Sequence, residues 1–92
     1  MGLTVQLPVV LAQVVGERSI ALDPTPPTVE EAFKLLFGRY PALAREMLGP
    51  DGKIDHTYGL FLNGERISQW QEQDRPLREG DELVILMMLA GG

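Results

Sequence analysis

The feature of the sequence that most constrains the fold is an unbroken apolar run, Leu83 to Ala90. It is far shorter than the roughly 20 residues that a membrane-spanning helix needs. An apolar run of this length predicts a strand covered on both faces, as the central strand of a sheet is. We therefore expect Leu83 to Met87 or Met88 to form the centre of a sheet that the rest of the chain covers.

The N-terminal quarter of the chain predicts two further strands. Leu3, Val5 and Leu7 recur at every second position, the period of a half-buried strand. Ser19 to Leu22 indicates a second short strand that completes an antiparallel hairpin. The apolar stretch between them, Val9 to Val15, shows no clear period and is expected to be a long irregular connection.

A helix is predicted to begin after Thr28. The Thr28 hydroxyl can accept hydrogen bonds from the first amides, and Glu31, three residues on, completes a capping box. Pro41 suits the first turn of a second short helical piece. Apolar residues at helical spacing define the buried face of the first helix: Val29, Phe33, Leu36, Phe37 and Tyr40.

The second half of the chain predicts another hairpin before the apolar run. Tyr58 to Leu62 indicates a strand, and Asn63-Gly64 is a strong signal for a tight turn into a brief return strand at Ile67. A polar loop, Gln69 to Arg75, is expected around the single tryptophan, Trp70.

These elements predict an α+β fold in which a mixed sheet of four to five strands packs on one main helix. The first and last strands are expected to lie parallel in the centre, because the long middle of the chain supplies the crossover that parallel pairing needs. With 92 residues there is room for one domain. We expect it to comprise residues 1–88, followed by a flexible tail, 89–92.

Composition narrows the class of function. The chain has no cysteine, which excludes disulfides, thiolate metal sites and a thiol nucleophile. Its formal net charge is -5, and its basic residues are scattered along the sequence. Such a chain repels nucleic-acid phosphates and suits a protein partner with a basic face. A domain of this size favours a carrier, a subunit or a binding module over a self-sufficient enzyme.

The side chains offer no catalytic constellation or metal site. His56 is the single histidine and is expected to be an ordinary loop residue. Asp51, Gly52 and Asp55 resemble part of a calcium loop, but its twelve-residue ligand pattern is missing. We expect neither a metal nor a bound cofactor.

The end of the sequence is the candidate reactive part. Leu89 and Ala90 lead from the last strand to Gly91-Gly92. Glycines extend through narrow passages and leave a terminal carboxylate uncrowded. Because a carboxylate with a pKa of about 3.5 is ionised and unreactive toward nucleophiles at neutral pH, a partner enzyme that uses ATP is expected to activate Gly92.

A partner-binding surface is expected on the sheet. Alternation turns Leu60, Leu62, Leu83 and Ile85 toward the helix. The opposite face then carries four large apolar side chains that predict a docking patch: Phe61, Val84, Leu86 and Met88. The alternative is that a loop around Trp70 covers part of this face.

Several segments together resemble the ubiquitin-like β-grasp sulfur carriers, the family of the molybdopterin synthase small subunit and of the thiamine and cysteine sulfur-carrier proteins. The matching segments cover nearly the whole chain: Val5 to Pro8, Thr28 to Ala32, Tyr40 to Leu43, Leu62 to Glu65, Pro76 to Leu83 and the final Gly91-Gly92. Many molybdopterin synthase small subunits have one or two prolines where this chain has Met87-Met88, which leaves the pathway open.

The resemblance implies a sulfur carrier that is not itself an enzyme. An E1-like activating enzyme would adenylate Gly92, sulfur would replace the adenylate, and an acceptor enzyme would take sulfur from the resulting thiocarboxylate. The expected acceptor is the molybdopterin synthase large subunit. Cysteine synthesis and tRNA thiolation remain open, and the long segment Tyr40 to Thr57 disfavours thiamine synthesis.

Two other functions remain open. The same tail would serve a ubiquitin-like modifier that forms isopeptides with lysines, and a non-covalent β-grasp interaction module would not use its glycines at all. No signal peptide is visible, so the expected location is cytoplasmic, without a membrane partner.

Overall fold

The computed structural model describes residues 2–68 and 71–88. Five strands form one mixed sheet in the order β2-β1-β5-β3-β4. Their bounds are β1 Leu3–Gln6, β2 Ser19–Leu22, β3 Tyr58–Leu62, β4 Glu65–Ile67 and β5 Glu82–Met87. The predicted strands are all present.

The last strand lies at the centre of the sheet, as its apolar sequence predicts. It pairs in parallel with β1, where Val5 is the partner of Leu83, and antiparallel with β3, where Leu60 is the partner of Ile85. Its side chains at Leu83 and Ile85 are fully buried. The expected parallel pairing of the first and last strands is confirmed.

Three helices occur in the described residues: α1 Val9–Val15, α2 Val29–Arg39 and α3 Pro41–Met47. The prediction of an irregular connection between β1 and β2 is wrong, because α1 occupies it. Pro8 is the N-cap residue of α1, and Gly16 ends it with a positive φ of 86° and an N–H that donates to the carbonyl of Ala12. Burial of Leu11 and Ala12 fixes the helix on the core despite its valines, whose branched side chains lower helix propensity.

The main helix begins after Thr28, as predicted. The Oγ1 atom of Thr28 accepts a hydrogen bond from the N–H of Glu31 at 3.2 Å. Its buried face consists of Val29, Ala32, Phe33 and Leu36, and Phe37 and Tyr40 pack against the core while partly exposed.

The second predicted helical piece is also present, with Pro41 in the first turn of α3. Leu43 and Met47 are fully buried, whereas Leu48 is half-buried.

The hairpin between β3 and β4 turns at Asn63-Gly64, where φ is 50° and 85°. Both residues lie in the left-handed region that a two-residue turn of this type requires. The turn sets the register in which Phe61 faces Arg66 and Leu62 faces Glu65. This register decides which side chains of β3 and β4 share a face.

Candidate functional site

The two faces of the sheet differ in burial as alternation predicts. Leu60, Leu62, Leu83 and Ile85 are 0–4% exposed and join the core cluster that also contains the buried face of α2. The prediction that these four side chains turn toward the helix is confirmed. The opposite face of β3 and β5, called here the outer face, is therefore the one available to a partner.

Four apolar side chains form what we call the outer patch, defined as Phe61, Val84, Leu86 and Met88. Phe61 and Val84 are direct partners across β3 and β5. Leu86 is 43% exposed, and the other three are partly exposed. The four predicted docking residues thus share one face with accessible apolar surface.

Polar groups border this patch on both sides. The guanidinium of Arg66, in β4, lies 6.0 Å from the centre of the Phe61 ring, within the range of a cation–π contact. On the other side, the amide of Gln6 donates to the carboxylate of Glu82 at 3.4 Å. An apolar centre with a polar border is the usual anatomy of a protein interface.

The point where the chain leaves the sheet is fixed by the loop before β3. The N–H of Met88 donates to the carbonyl of Thr57. Thr57 is itself held by Asp55, whose carboxylate accepts from the Thr57 N–H at 2.8 Å and from its hydroxyl at 2.6 Å. These two hydrogen bonds lower the pKa of Asp55, so its carboxylate stays ionised and keeps the loop in place.

An open groove of about 550 Å³ lies between the loop 49–56 and the strands β3 and β4. It is lined by Lys53, Asp55, His56, Arg66 and neighbouring residues. The side chain of His56 is 90% exposed, with Nδ1 3.9 Å from a carboxylate oxygen of Asp55. Within residues 2–68 and 71–88, no three His, Asp or Glu side chains are grouped closely enough to hold a metal ion.

The predicted tail residues Leu89, Ala90, Gly91 and Gly92 lie outside the described residues, and so does Trp70. Sequence reasoning missed three contributors to this region: Gly59, Thr57 and Arg66. Gly59 could have been recognised, because a glycine within an otherwise apolar strand often marks a close approach of another group. The contacts of Thr57 and Arg66 depend on strand register and leave no local signal.

Sheet order, the parallel β1–β5 pair and the helix on the inner face together define a ubiquitin-like β-grasp protein. The chain belongs to the ThiS family of ubiquitin-like sulfur carriers and small modifiers, whose sequence profile it matches over residues 5–92. No helix among the described residues is long and apolar enough to cross a membrane.

A curated relative and a solved structure agree with this membership, and a second, more distant solved structure shares the fold. Small archaeal modifier protein 1 of Haloferax volcanii is 31% identical over 83 residues, which cover 89% of this chain and 91% of the relative. The crystal structure of SAMP1 from Haloferax volcanii superposes with a TM-score of 0.80 at 30% identity, covering 98% of each chain. In the crystal structure of the Amycolatopsis orientalis BexX/CysO complex, the similar chain has a TM-score of 0.77 at 24% identity, with 98% of this chain and 99% of that one covered.

Proposed function

We propose that this chain carries sulfur as an acyl thiocarboxylate on Gly92 and delivers it to an acceptor enzyme. The observation that carries the proposal is the continuity of the outer patch with β5, the strand that leads toward Gly91-Gly92. A partner seated on Leu86 and Met88 would lie beside the start of the tail. Family membership supports the same reading.

The proposed chemistry consists of two displacements, the first at the α-phosphorus of ATP and the second at the terminal carbonyl carbon of Gly92. In the first, a carboxylate oxygen of Gly92 attacks the α-phosphorus of ATP and pyrophosphate leaves, which gives an acyl adenylate. In the second, hydrosulfide attacks the acyl carbon and AMP leaves, which gives the thiocarboxylate. Covalent carriage divides a difficult transfer into two easier steps.

Catalysis in this scheme belongs to the partner enzymes. The chain has no cysteine to hold sulfur on a side chain. An E1-like activating enzyme supplies the ATP site, and no cofactor stays bound to the carrier. The chain contributes a docking surface and a backbone terminus with no Cβ atoms beside the reacting carbonyl.

The outer patch is the proposed docking surface for the acceptor enzyme. Burial of its partly exposed apolar side chains against a partner contributes about 25 cal/mol of favourable free energy per Å² of apolar surface removed from water. The net charge of -5 adds attraction toward a basic partner.

Among acceptors, the large subunit of molybdopterin synthase is our first choice, which would make this chain the small subunit in molybdenum cofactor biosynthesis in the cytoplasm. A cysteine synthase and a tRNA thiolase are the alternative acceptors. Met87-Met88 stand where many molybdopterin synthase small subunits have prolines, which keeps these alternative acceptors open.

A second candidate function is protein modification, favoured by the 31% identity to a Haloferax volcanii protein named small archaeal modifier protein 1. The same acyl adenylate would then react with a lysine amine of another protein, releasing AMP and forming an isopeptide bond. A non-covalent interaction module remains the alternative of another class.

The test is to express N-terminally tagged chain in its source organism and to identify the proteins that it retains. Chain lacking Gly92 serves as the control. The proposal expects an acceptor enzyme on both forms, and replacement of one oxygen by sulfur on the full-length form alone. High-mass conjugates without sulfur exchange would favour the modifier, and full biological activity of the form lacking Gly92 would favour the non-covalent module.

A further inference from the structure

Gly59 is the second residue of β3 and lies on the outer face, opposite Leu86 of β5. A strand interior is an unfavourable place for glycine, which has no side chain to pack and loses more backbone entropy than other residues. Gly59 is nevertheless buried. Something other than its own side chain therefore fills the space above it.

That space is taken by Met88. A Cβ atom built on Gly59 would lie 2.9 Å from Cγ and 3.0 Å from Sδ of Met88, and 3.3 Å from Cε1 of Phe61. The first two distances are too short for ordinary contacts, so any side chain at position 59 displaces the side chain of Met88. The absence of a side chain at Gly59 is what allows Met88 to lie across β3.

Met88 is thereby held at two points. Its N–H donates to the carbonyl of Thr57, and its side chain rests over Gly59. Gly92, the residue proposed to react, follows Met88 by four residues, and four extended residues reach at most about 14 Å. With so short a reach, the direction in which the chain leaves Met88 decides where the carboxylate of Gly92 can arrive.

We infer that Gly59 is a positioning residue: by leaving room for Met88, it sets the direction in which the C-terminal segment leaves the sheet toward the active site of an activating enzyme. The inference rests on the proposed function, since it concerns the reaction of Gly92. Orientation of this kind is worth large factors in rate, because a misplacement of about 1 Å can lower a rate by about a hundredfold.

The atoms around Gly59 separate this role from a purely structural one. The three atoms nearest to an alanine Cβ there all belong to side chains, and the two nearest belong to the flexible Met88, which can move aside without disturbing the sheet. Alanine also loses less backbone entropy than glycine on folding. Gly59→Ala is therefore expected to fold with at least the wild-type resistance to urea while Met88 leaves its place.

The experiment measures the ATP–pyrophosphate exchange that the full-length chain elicits from the activating enzyme of its source organism. Gly59→Ala should lower kcat about tenfold with KM changed less than about threefold. Gly38→Ala is the matched control, because an added Cβ at this exposed position of α2 meets nothing within 4 Å. It should leave both constants unchanged.

A double-mutant cycle with Met88→Ala tests the mechanism. The double variant should differ in kcat from Met88→Ala alone by less than about twofold, because the side chain that Gly59→Ala displaces is already missing. This holds whatever the kcat of Met88→Ala itself is. The methyl resonance of Met88, labelled with ¹³C, should move in Gly59→Ala while that of buried Met47 stays.

Three outcomes distinguish a failure of the proposed function from a failure of the positioning role of Gly59. If wild-type chain elicits no exchange, the proposed function fails and the inference falls with it. If wild-type chain is active and Gly59→Ala matches it, the inference alone is overturned. An equal loss of kcat in the wild-type and Met88→Ala backgrounds would also overturn it, since the effect would then not pass through Met88.

Discussion

Val5 of β1 and Leu83 of β5 are direct partners in the parallel pair at the centre of the sheet, and both side chains are fully buried. The pair joins the beginning of the fold to its last strand. β3 holds the other side of β5. The strand from which the chain continues to residues 89–92 is therefore fixed on both of its edges.

The central position of β5 predicts that alanine substitution of two leucines in this strand lowers the free energy of unfolding by very different amounts. Leu83→Ala removes a fully buried side chain and should lower the free energy of unfolding by about 3 kcal/mol. Leu86→Ala, at a position 43% exposed, should lower it by less than about 1 kcal/mol. Urea unfolding of the two variants measures both values, and equal losses would contradict the assigned faces of β5.

Most of the sheet was predictable from the sequence because its strands carry local signals. β5 is continuous and apolar, β1 alternates, and Asn63-Gly64 fixes the turn after β3. The α1 helix was not predictable in this way. Its seven residues include four β-branched valines, and the helix forms because Leu11 and Ala12 reach the core, which is a tertiary effect.

The candidate site was likewise predictable only in part. Period two was enough to place Phe61, Val84, Leu86 and Met88 on one face. The packing of Met88 over Gly59 could not be predicted, because it depends on the register between β3 and β5.

The N-cap of α2 provides a prediction about local stability. Thr28→Ala removes the hydroxyl that accepts from the N–H of Glu31 and should lower the free energy of unfolding by about 1 kcal/mol. Thr28→Ser keeps the acceptor and should lie close to wild type. Loss of the same size in both variants, measured by urea unfolding, would show that the hydroxyl is not the stabilising group.

The proposed docking role of the outer patch predicts a selective loss of partner binding. Leu86→Asp places a charge in the patch and should weaken binding of the acceptor enzyme at least about tenfold, the equivalent of about 1.4 kcal/mol. Leu35→Asp is the matched control, since Leu35 is 47% exposed on α2, away from the outer face. Calorimetric titration of both variants checks the prediction, and equal affinities would contradict the location of the docking surface.

Asp81 predicts a dependence of stability on pH. Its carboxylate accepts from the N–H of Arg78 at 2.8 Å and from the Asn63 amide at 2.9 Å, and these bonds lower its pKa. The stabilising effect of the ionised Asp81 carboxylate is complete above the pKa of this group in the unfolded chain, about 3.9. The effect is lost as the pH falls through the lower pKa of the group in the folded chain.

Urea unfolding at a series of pH values checks this effect. Wild type should exceed Asp81→Asn in stability at neutral pH, and the difference should shrink once the pH is below about 4. Asp74→Asn, at an exposed position, is the control for loss of a charge alone. A difference between wild type and Asp81→Asn that stays constant as the pH is lowered would contradict this assignment.

The most direct test of the whole account is the mass of the C-terminal residue after reaction. The chain is incubated with ATP, sulfide and the activating enzyme of its source organism. The undigested protein is then fragmented in a mass spectrometer. We predict that one oxygen is replaced by one sulfur and that the change lies on Gly92. An unchanged Gly92, or sulfur found at any other residue, would contradict the claim that the backbone terminus is the reactive group.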